Sequence, residues 1–383
     1  MMATSDWVEE GQARFRIGEA FYRPKSKIGR DLAVLAAATY RRQRGELRVL
    51  DAMTGCGVRS LRYQLEADAD WVWANEGNPE LRAVLAENLS VGMRPRSFRV
   101  THQDANQLFF SCYQQRDFYD LVDIDSFGNP TPFLQTGLWA TKVGGLLYLT
   151  STDGRTTGGH APDKSLQVYG AYARSHPAVH EQGLRLLIGS VAQQAASRGM
   201  HIEPVFSLFN GQIHRVMVRL VMRKDWDSDQ YGFLAYCHGC GQFQTVSWRQ
   251  LGRVGCTCQP NLPSDVAINP PVVSGPLWLG PLHDVAFLQK MEGLAEFWGW
   301  AAHARLIQLM VREAKMPPYY YPLGEIGRRG KLDIPQREQL IQALQEAGYR
   351  ATRTHVEAQA IKTDAPIAEC IQAAKALASH TPL

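Results

Sequence analysis

The sequence has no apolar run of the eighteen or so residues that a membrane span needs. Its first fifteen residues, MMATSDWVEEGQARF, carry Asp6, Glu9 and Glu10 and no apolar centre, so they do not read as a secretory signal. It has few cysteines, seven in 383 residues, and an odd count in a chain of this size argues against a disulfide framework. The expectation is a reducing compartment, the cytoplasm. Net charge is also scarce: 41 basic residues against 37 acidic ones leave +4, which permits an anionic partner without indicating one. Internal repeats and low-complexity tracts are absent. What is abundant is ordinary globular material, 45% hydrophobic and 10% aromatic, which excludes disorder over most of the chain. The length predicts two domains, or one domain with a large appendage.

Hydrophobic periodicity divides the first 222 residues into alternating strands and helices. Residues 32–45 have helical spacing, and Leu47–Arg62 reads as a strand, a glycine loop and a helix starting near Val58. Further strands are predicted at Trp71–Asn75, Phe98–His102, Leu121–Ile124 and Gly145–Thr150, with a helix from Pro79 to just before Gly92. Such alternation implies βαβ units and a mostly parallel sheet. HIEPVFSLF and HRVMVRLVMR, joined through Asn210-Gly211, then predict a hairpin. A parallel sheet ending in an antiparallel hairpin is the Rossmann-like α/β pattern of class I methyltransferases. The texture changes near Asp225, and the Pro-rich text that follows the later cysteines reads as a linker. From about Pro281 the chain is mainly helical, with a helix and then a strand in PQREQLIQALQEAGYRATRTH.

Chemistry in open α/β sheets sits beyond the carboxyl ends of the strands. After the first strand, Asp51, Gly55 and Gly57 form D-x-x-x-G-x-G, in which residues without a Cβ let an adenosyl group approach the backbone. Glu76 ends the next strand, where an acidic residue usually holds ribose hydroxyls. Asp104 and Ala105 follow the third strand and suit contacts to the adenine ring. Plain packing of the turn and solvated strand ends are the competing readings. The fourth strand leads into Asp123-Ile-Asp-Ser-Phe-Gly-Asn-Pro130. A carboxylate at Asp125 suits acceptance of an N–H from an exocyclic amine, whose lone pair is otherwise delocalised into its ring. The Phe127 ring suits stacking on the base that carries the amine. An Asx-type turn with a core Phe is the alternative.

Cys237 and Cys240 form C-x-x-C, and Cys256 and Cys258 form C-x-C sixteen residues on. Two close thiol pairs predict a structural zinc ribbon. The tight second pair leaves His238 as a possible substitute ligand, and buried thiols or a redox pair as other readings. Four protein ligands would leave the metal no open position for catalysis. Cys56, Cys112 and Cys370 read as ordinary small apolar residues.

These pieces together resemble the tRNA (guanine-26, N2)-dimethyltransferase family over nearly the whole chain. The resemblance rests on Glu10-Gly11, FYRPKSKIGRD at Phe21–Asp31, LDAMTGCGVRSLR at Leu50–Arg62, DIDSFGNPTPFL at Asp123–Leu134, TSTDGRTTGG at Thr150–Gly159, GPLWLGPL at Gly275–Leu282 and ATRTHVEAQAIKTDAP at Ala351–Pro366. It implies S-adenosylmethionine as methyl donor, tRNA as substrate, and one or two methyl groups on guanine N2. It implies that Arg30 and Arg59 join the cofactor contacts, that Asp125 is the catalytic carboxylate, and that Phe21 and Phe127 sandwich an extruded guanine. Two positions depart from the family. Ser126 stands where a proline is usual, and Glu76 where aspartate is frequent. Other outcomes kept open by Ser126 are monomethylation, or modification of a neighbouring tRNA position. A chain that only binds tRNA is the reading from another class.

The expected organisation is a methyltransferase domain over 1–225, a zinc-ribbon segment over 226–265 and a C-terminal tRNA-binding α+β domain over 266–383. No protein partner and a monomer are expected. Two basic groups are expected to face tRNA. One comprises Arg14, Arg16, Arg23, Lys25, Lys27 and Arg30, and the other Arg328, Arg329 and Lys331 beside Tyr319-Tyr320-Tyr321.

Overall fold

The computed structural model describes residues 7–222, 227–256, 258 and 270–379. The expected boundary at 225–226, residue Asp6 and residues 259–269 of the Pro-rich linker lie outside them.

The central sheet has seven strands: β1 (Arg48–Asp51), β2 (Trp71–Asn75), β3 (Phe98–Thr101), β4 (Tyr119–Ile124), β5 (Thr141–Ser151), β6 (Met200–Asn210) and β7 (Ile213–Met222). Their order is β3-β2-β1-β4-β5-β7-β6. The first five are parallel, and β7 joins β5 and β6 antiparallel. Parallel strands covered on both faces read as continuous apolar runs, and every residue of β4 is buried. Because β1 and β4 are neighbours, Asp51 lies opposite Asp123. The hairpin turns one residue later than expected. Asn210 pairs with Ile213, and the two left-handed residues are Gly211 (φ 50°) and Gln212 (φ 87°), the signature of a two-residue primed turn.

The helices also differ in extent. Helix α1 (Lys27–Arg44) begins five residues before the expected start. Helix α2 (Val58–Leu65) starts as predicted, behind Gly57. Helix α3 (Arg82–Gly92) follows a 3-10 turn at Pro79–Leu81 and includes Gly92. An N-terminal hairpin, Trp7–Glu10 with Ala13–Arg16, was not foreseen.

The apolar core does not divide where the texture of the sequence changes. On one face of the sheet, Leu32–Ala38, Leu61, Leu85 and Leu89 pack in one cluster with Phe287, Met291, Ile307 and Met310. On the other, Leu134, Leu138 and Leu184–Ile188 share a cluster with Tyr319–Tyr321, Leu340, Ile361 and Cys370. The cysteine segment forms a three-stranded sheet, Phe243–Val246, Tyr231–Tyr236 and Val272–Trp278 in that order. Its third strand therefore comes from beyond residue 265.

Candidate active site

The carboxyl ends of β1–β4 open into a cavity of about 560 Å³, a size suited to a cofactor-sized ligand. Its lining joins Phe21 and Arg30 to Gly55, Arg59, Glu76, Asp104, Ala105, Asp125 and Phe127. Nine of the eleven expected catalytic and cofactor residues thus meet at one place. Asp51 and Gly57 do not line it.

The two glycines of the loop do different things. Gly55 has φ 58° and open space where a Cβ would stand. Gly57 has φ 88° and faces inward, where a Cβ would lie 3.0 Å from Leu85 and Leu89. The first leaves room for a ligand, and the second seats α2 against α3. Glu76 fixes the loop: its Oε2 accepts the Gly55 N–H at 2.8 Å and its Oε1 accepts the Asn78 N–H at 2.8 Å. Asp104 caps the helix Ala105–Gln115, accepting the N–H groups of Asn106 (2.9 Å) and Gln107 (3.2 Å) through one oxygen. Sequence reasoning missed Asn75. Its amide donates to the carbonyls of Ala52 and Gln103 and accepts from Thr101 and the Gln103 N–H, tying three strand ends together. A buried polar residue at a strand end was the available signal.

Asp125 sits at the edge of a buried charge chain. Arg59, 5% exposed, donates through Nη1 to Asp123 (2.8 Å), and its Nη2 contacts Asp125. Tyr63 donates its hydroxyl to the other Asp123 oxygen at 2.7 Å. Arg215 Nη1 is 3.7 Å from Asp125 Oδ1 and donates to Thr150 Oγ1 at 2.9 Å. Two guanidiniums thus hold the carboxylate at the cavity wall. Burial works against the charge, but Asp123 and then Asp51 hold the Arg59 guanidinium above its ordinary range. Asp51 lies beneath, fully buried, accepting from Ser60 at 2.7 Å. Burial, and then the Asp123 charge, push its carboxyl up to about 6. Asp51 thus supports the loop from below. Arg215 was also missed, because it lies within a strand, and Asp123, although it opens the motif, was given no role.

Phe21 and Phe127 are 70% and 75% exposed, unusual for such rings, and they touch edge to face with centroids 5.2 Å apart. That spacing leaves no room for a base between them. Between Asp125 and Phe127, the Ser126 hydroxyl is buried without a hydrogen-bond partner.

Arg30 borders the cavity but is committed behind it. It forks onto Glu10 at 2.7 and 2.5 Å, and the Tyr22 hydroxyl donates to the same carboxylate at 2.8 Å. Arg62, fully buried, reaches Glu10 (2.8 Å), Asp31 (2.7 Å) and Glu66 (2.7 Å). Lys27 and His303 also contact Asp31, at 2.8 and 2.7 Å. The N-terminal segment is therefore pinned to α1 and α2 by ion pairs, which places Phe21 at the mouth.

The four sulfurs of Cys237, Cys240, Cys256 and Cys258 converge, with Cys237–Cys258 at 3.7 Å and Cys240–Cys256 at 3.5 Å. These are not disulfide distances. They approach the ~3.8 Å edge of a tetrahedron with ~2.3 Å zinc–sulfur bonds. The thiol set alone completes four positions, so His238 is not needed as a ligand. A second convergence, His283, Glu313 and His355, is buried. The Ser207 N–H donates to His283 Nδ1, which leaves the ring proton on Nε2, facing Glu313 at 3.7 Å. A metal on Nε2 would need the opposite tautomer. The cluster is instead a carboxylate shared by two imidazoles, His355 Nδ1 being in contact with Glu313.

The second basic group divides: Arg328 and Lys331 are exposed, whereas the tyrosines and Arg329 turn inward. Tyr319, Tyr320 and Tyr321 are buried, and Tyr319 and Tyr321 pack with Phe243. Arg329 donates to the carbonyls of Gly239 (2.8 Å) and His238 (3.1 Å) and to the Tyr236 hydroxyl (3.0 Å), so it clamps the cysteine knuckle. Gly241 permits this, since a Cβ there would stand 2.5 Å from Arg329 Nε. In the first group, Arg30 is buried and ion-paired. Among the described residues no helix is long and apolar enough to cross a membrane.

Comparison with known proteins places this geometry. The family described as N2,N2-dimethylguanosine tRNA methyltransferase matches residues 7–375. A Thermococcus kodakarensis protein named tRNA (guanine(26)-N(2))-dimethyltransferase is 31% identical over 386 residues, covering 94% of this chain and 96% of its own. A Schizosaccharomyces pombe protein of the same name is 30% identical over 345 residues, covering 83% of this chain and 61% of its own. The solved structure of Trm1 from Pyrococcus horikoshii in complex with S-adenosyl-L-methionine superposes with a TM-score of 0.82 at 28% identity, over 96% of this chain and 99% of that one. This chain belongs to the N2,N2-dimethylguanosine tRNA methyltransferase family.

Proposed function

We propose that this chain transfers methyl groups from S-adenosylmethionine to the exocyclic N2 of guanine 26 in tRNA, giving N2-methylguanine and then N2,N2-dimethylguanine. One observation carries the reading. A single cavity joins the open Gly55 turn, Glu76 and Asp104 to Asp125 and the exposed Phe21–Phe127 pair. When bound, S-adenosylmethionine supplies an electrophilic methyl group on a sulfonium.

The chain's own residues do the rest. Glu76 keeps lone pairs beyond those held by Gly55 and Asn78, and these suit ribose hydroxyls. Asp104 and Ala105 border the part of the cavity suited to the adenine ring. Arg30, Arg59 and Asp51 act from behind: each is tied to protein groups, so they shape the pocket and its charge. The target guanine must leave its stack. Phe21 and Phe127 then part and hold its plane. Asp125 accepts an N–H of the amine, directing the nitrogen lone pair away from the ring, and takes the proton as each methyl is added. Ser126 favours a second reading, monomethylation. A hydroxyl in place of the family's proline leaves the loop freer and adds a polar group beside the amine.

The Cys237, Cys240, Cys256 and Cys258 set is proposed to hold a structural zinc ion, in a cytoplasmic enzyme active as a monomer. The experiment is methyl incorporation into unmodified tRNA transcripts with the base at position 26 varied, followed by mass spectrometry of nucleosides. Transfer independent of a guanine at that position would overturn the proposal.

A further inference from the structure

Arg215 is a cation that the proposed chemistry leaves without a task. It lies on β7, is 3% exposed, and lines the same cavity as Asp125, Phe21 and Phe127. Space for it is built in: a Cβ on Gly29 of α1 would stand 2.4 Å from Arg215 Nε, so only glycine lets the guanidinium pass. Thr150 Oγ1 then fixes Nη1 at 2.9 Å. A buried guanidinium normally has a close, forked carboxylate. Among the described residues its one ion-pair partner is Asp125, at 3.7 Å, and that carboxylate is already engaged by Arg59. The arginine is therefore rigidly placed, yet its charge is only loosely satisfied.

The wall consequently presents an acceptor, Asp125, beside a donor, Arg215. The edge of guanine that carries the reacting amine runs N2–H, N1–H, O6, which is donor, donor, acceptor. Adenine offers no amine at C2 and has an acceptor at N1 and a donor at N6. Arginine is the common partner of guanine O6, by charge and by geometry. We propose that Arg215 reads O6 of the target guanine, so that the Asp125–Arg215 couple selects guanine while Asp125 handles the amine. The inference rests on the methyl-transfer reading above, and it makes Arg215 a specificity residue.

The test compares kcat/KM on tRNA transcripts carrying guanine or 6-thioguanine at the target position. The analogue keeps N1–H and the N2 amine and replaces O6 with sulfur, a weak acceptor. Wild-type protein is expected to favour guanine by about 10-fold or more, since a polar group built to bond O6 loses its partner in the analogue. Arg215→Met is expected to bring the ratio close to one. Arg215→Lys, which keeps the charge but loses the planar fork, is expected to fall between. A wild-type ratio near one overturns the inference whatever the variants do. So does an unchanged ratio in Arg215→Met or Arg215→Lys; a KM raised equally for both substrates would mark a phosphate contact instead. Absence of wild-type transfer to either base would count against the methyl-transfer reading itself, and is a distinct result.

Discussion

Arg59 stands between two carboxylates of one strand end, donating to Asp123 at 2.8 Å and contacting Asp125. The two acids differ in what surrounds them. Asp123 is fully buried and saturated by Arg59 and Tyr63, whereas Asp125 is 28% exposed and opens on the cavity. Strand alternation makes them neighbours on one side, and the fold gives them separate work.

Asp125→Asn is therefore expected to leave the fold and the binding of S-adenosylmethionine intact while lowering kcat by about 10²–10⁴-fold, the usual worth of a positioned base. Calorimetry with the cofactor and single-turnover methyl transfer check this. Retained wild-type turnover would remove Asp125 from the reaction. Arg59→Met should behave differently. It strands Asp123 without its cation, at a cost of ~3–5 kcal/mol in unfolding free energy by urea titration.

The edge-to-face contact of Phe21 and Phe127 predicts a defect in substrate handling. Phe127→Ala should lower kcat/KM on tRNA by about 5- to 150-fold, the equivalent of ~1–3 kcal/mol per stacked base. Phe127→Tyr should restore most of it. Cofactor affinity should not move in either variant, and steady-state kinetics with equilibrium dialysis separates the two effects.

Metal removal is predicted to act at a distance from the cavity. Among the described residues none of 231–278 lines it, whereas Arg329 joins the knuckle to the helix Leu323–Gly330. Chelation, or Cys240→Ser, should lower the thermal midpoint and expose residues 231–278 and 323–330 to hydrogen exchange. Affinity for S-adenosylmethionine measured below that midpoint should be unchanged.

Acid is expected to destabilise the protein. Burial lowers His176 and His283 to about 4 and His214 to about 3. Each folded value lies below the unfolded 6.5, so the unfolded chain takes up protons first. Stability is then full above about 6.5 and falls as pH drops toward 4, by at most about 1.4 kcal/mol per unit for each histidine. Glu313, held well below its ordinary value by His355 and His283 despite burial, adds a loss at lower pH. Asp51 acts in the opposite sense, because its raised value near 6 favours the folded state as it protonates. Three groups against one leave a net fall between pH 6.5 and 4. Urea midpoints at pH 7 and pH 5 read it, and equal midpoints would contradict it.

Much of the site was legible because its residues mark themselves in the chain. Gly55, Glu76, Asp104 and Asp125 each follow an apolar run, and strand ends are where a parallel sheet puts its chemistry. Phe21 and Arg30 were reachable only by resemblance, since nothing local says that the N-terminal segment folds over the cavity. Arg215 was missed because a polar residue inside a strand looks the same whether it faces a cavity or solvent. The tyrosines at 319–321 misled for the converse reason: aromatic residues beside arginines suit RNA, but here they suit Phe243. Composition near Asp225 announced a new domain, yet Phe287 and Met310 pack with Leu32 and Leu85. Texture follows local sequence, and burial follows the partner found in space.

That shared core has a consequence for the history of variation in the chain. With His303 bonded to Asp31 and Lys362 to Glu181, the last hundred residues help to stabilise the first two hundred. A cut between them would bare the apolar faces of Phe287, Met291, Ile307 and Met310 on one piece and of Leu32–Ala38 on the other. Truncating a buried side chain there, such as Met310 or Ile361, is expected to act on the stability of the whole chain before it acts on which RNA is preferred.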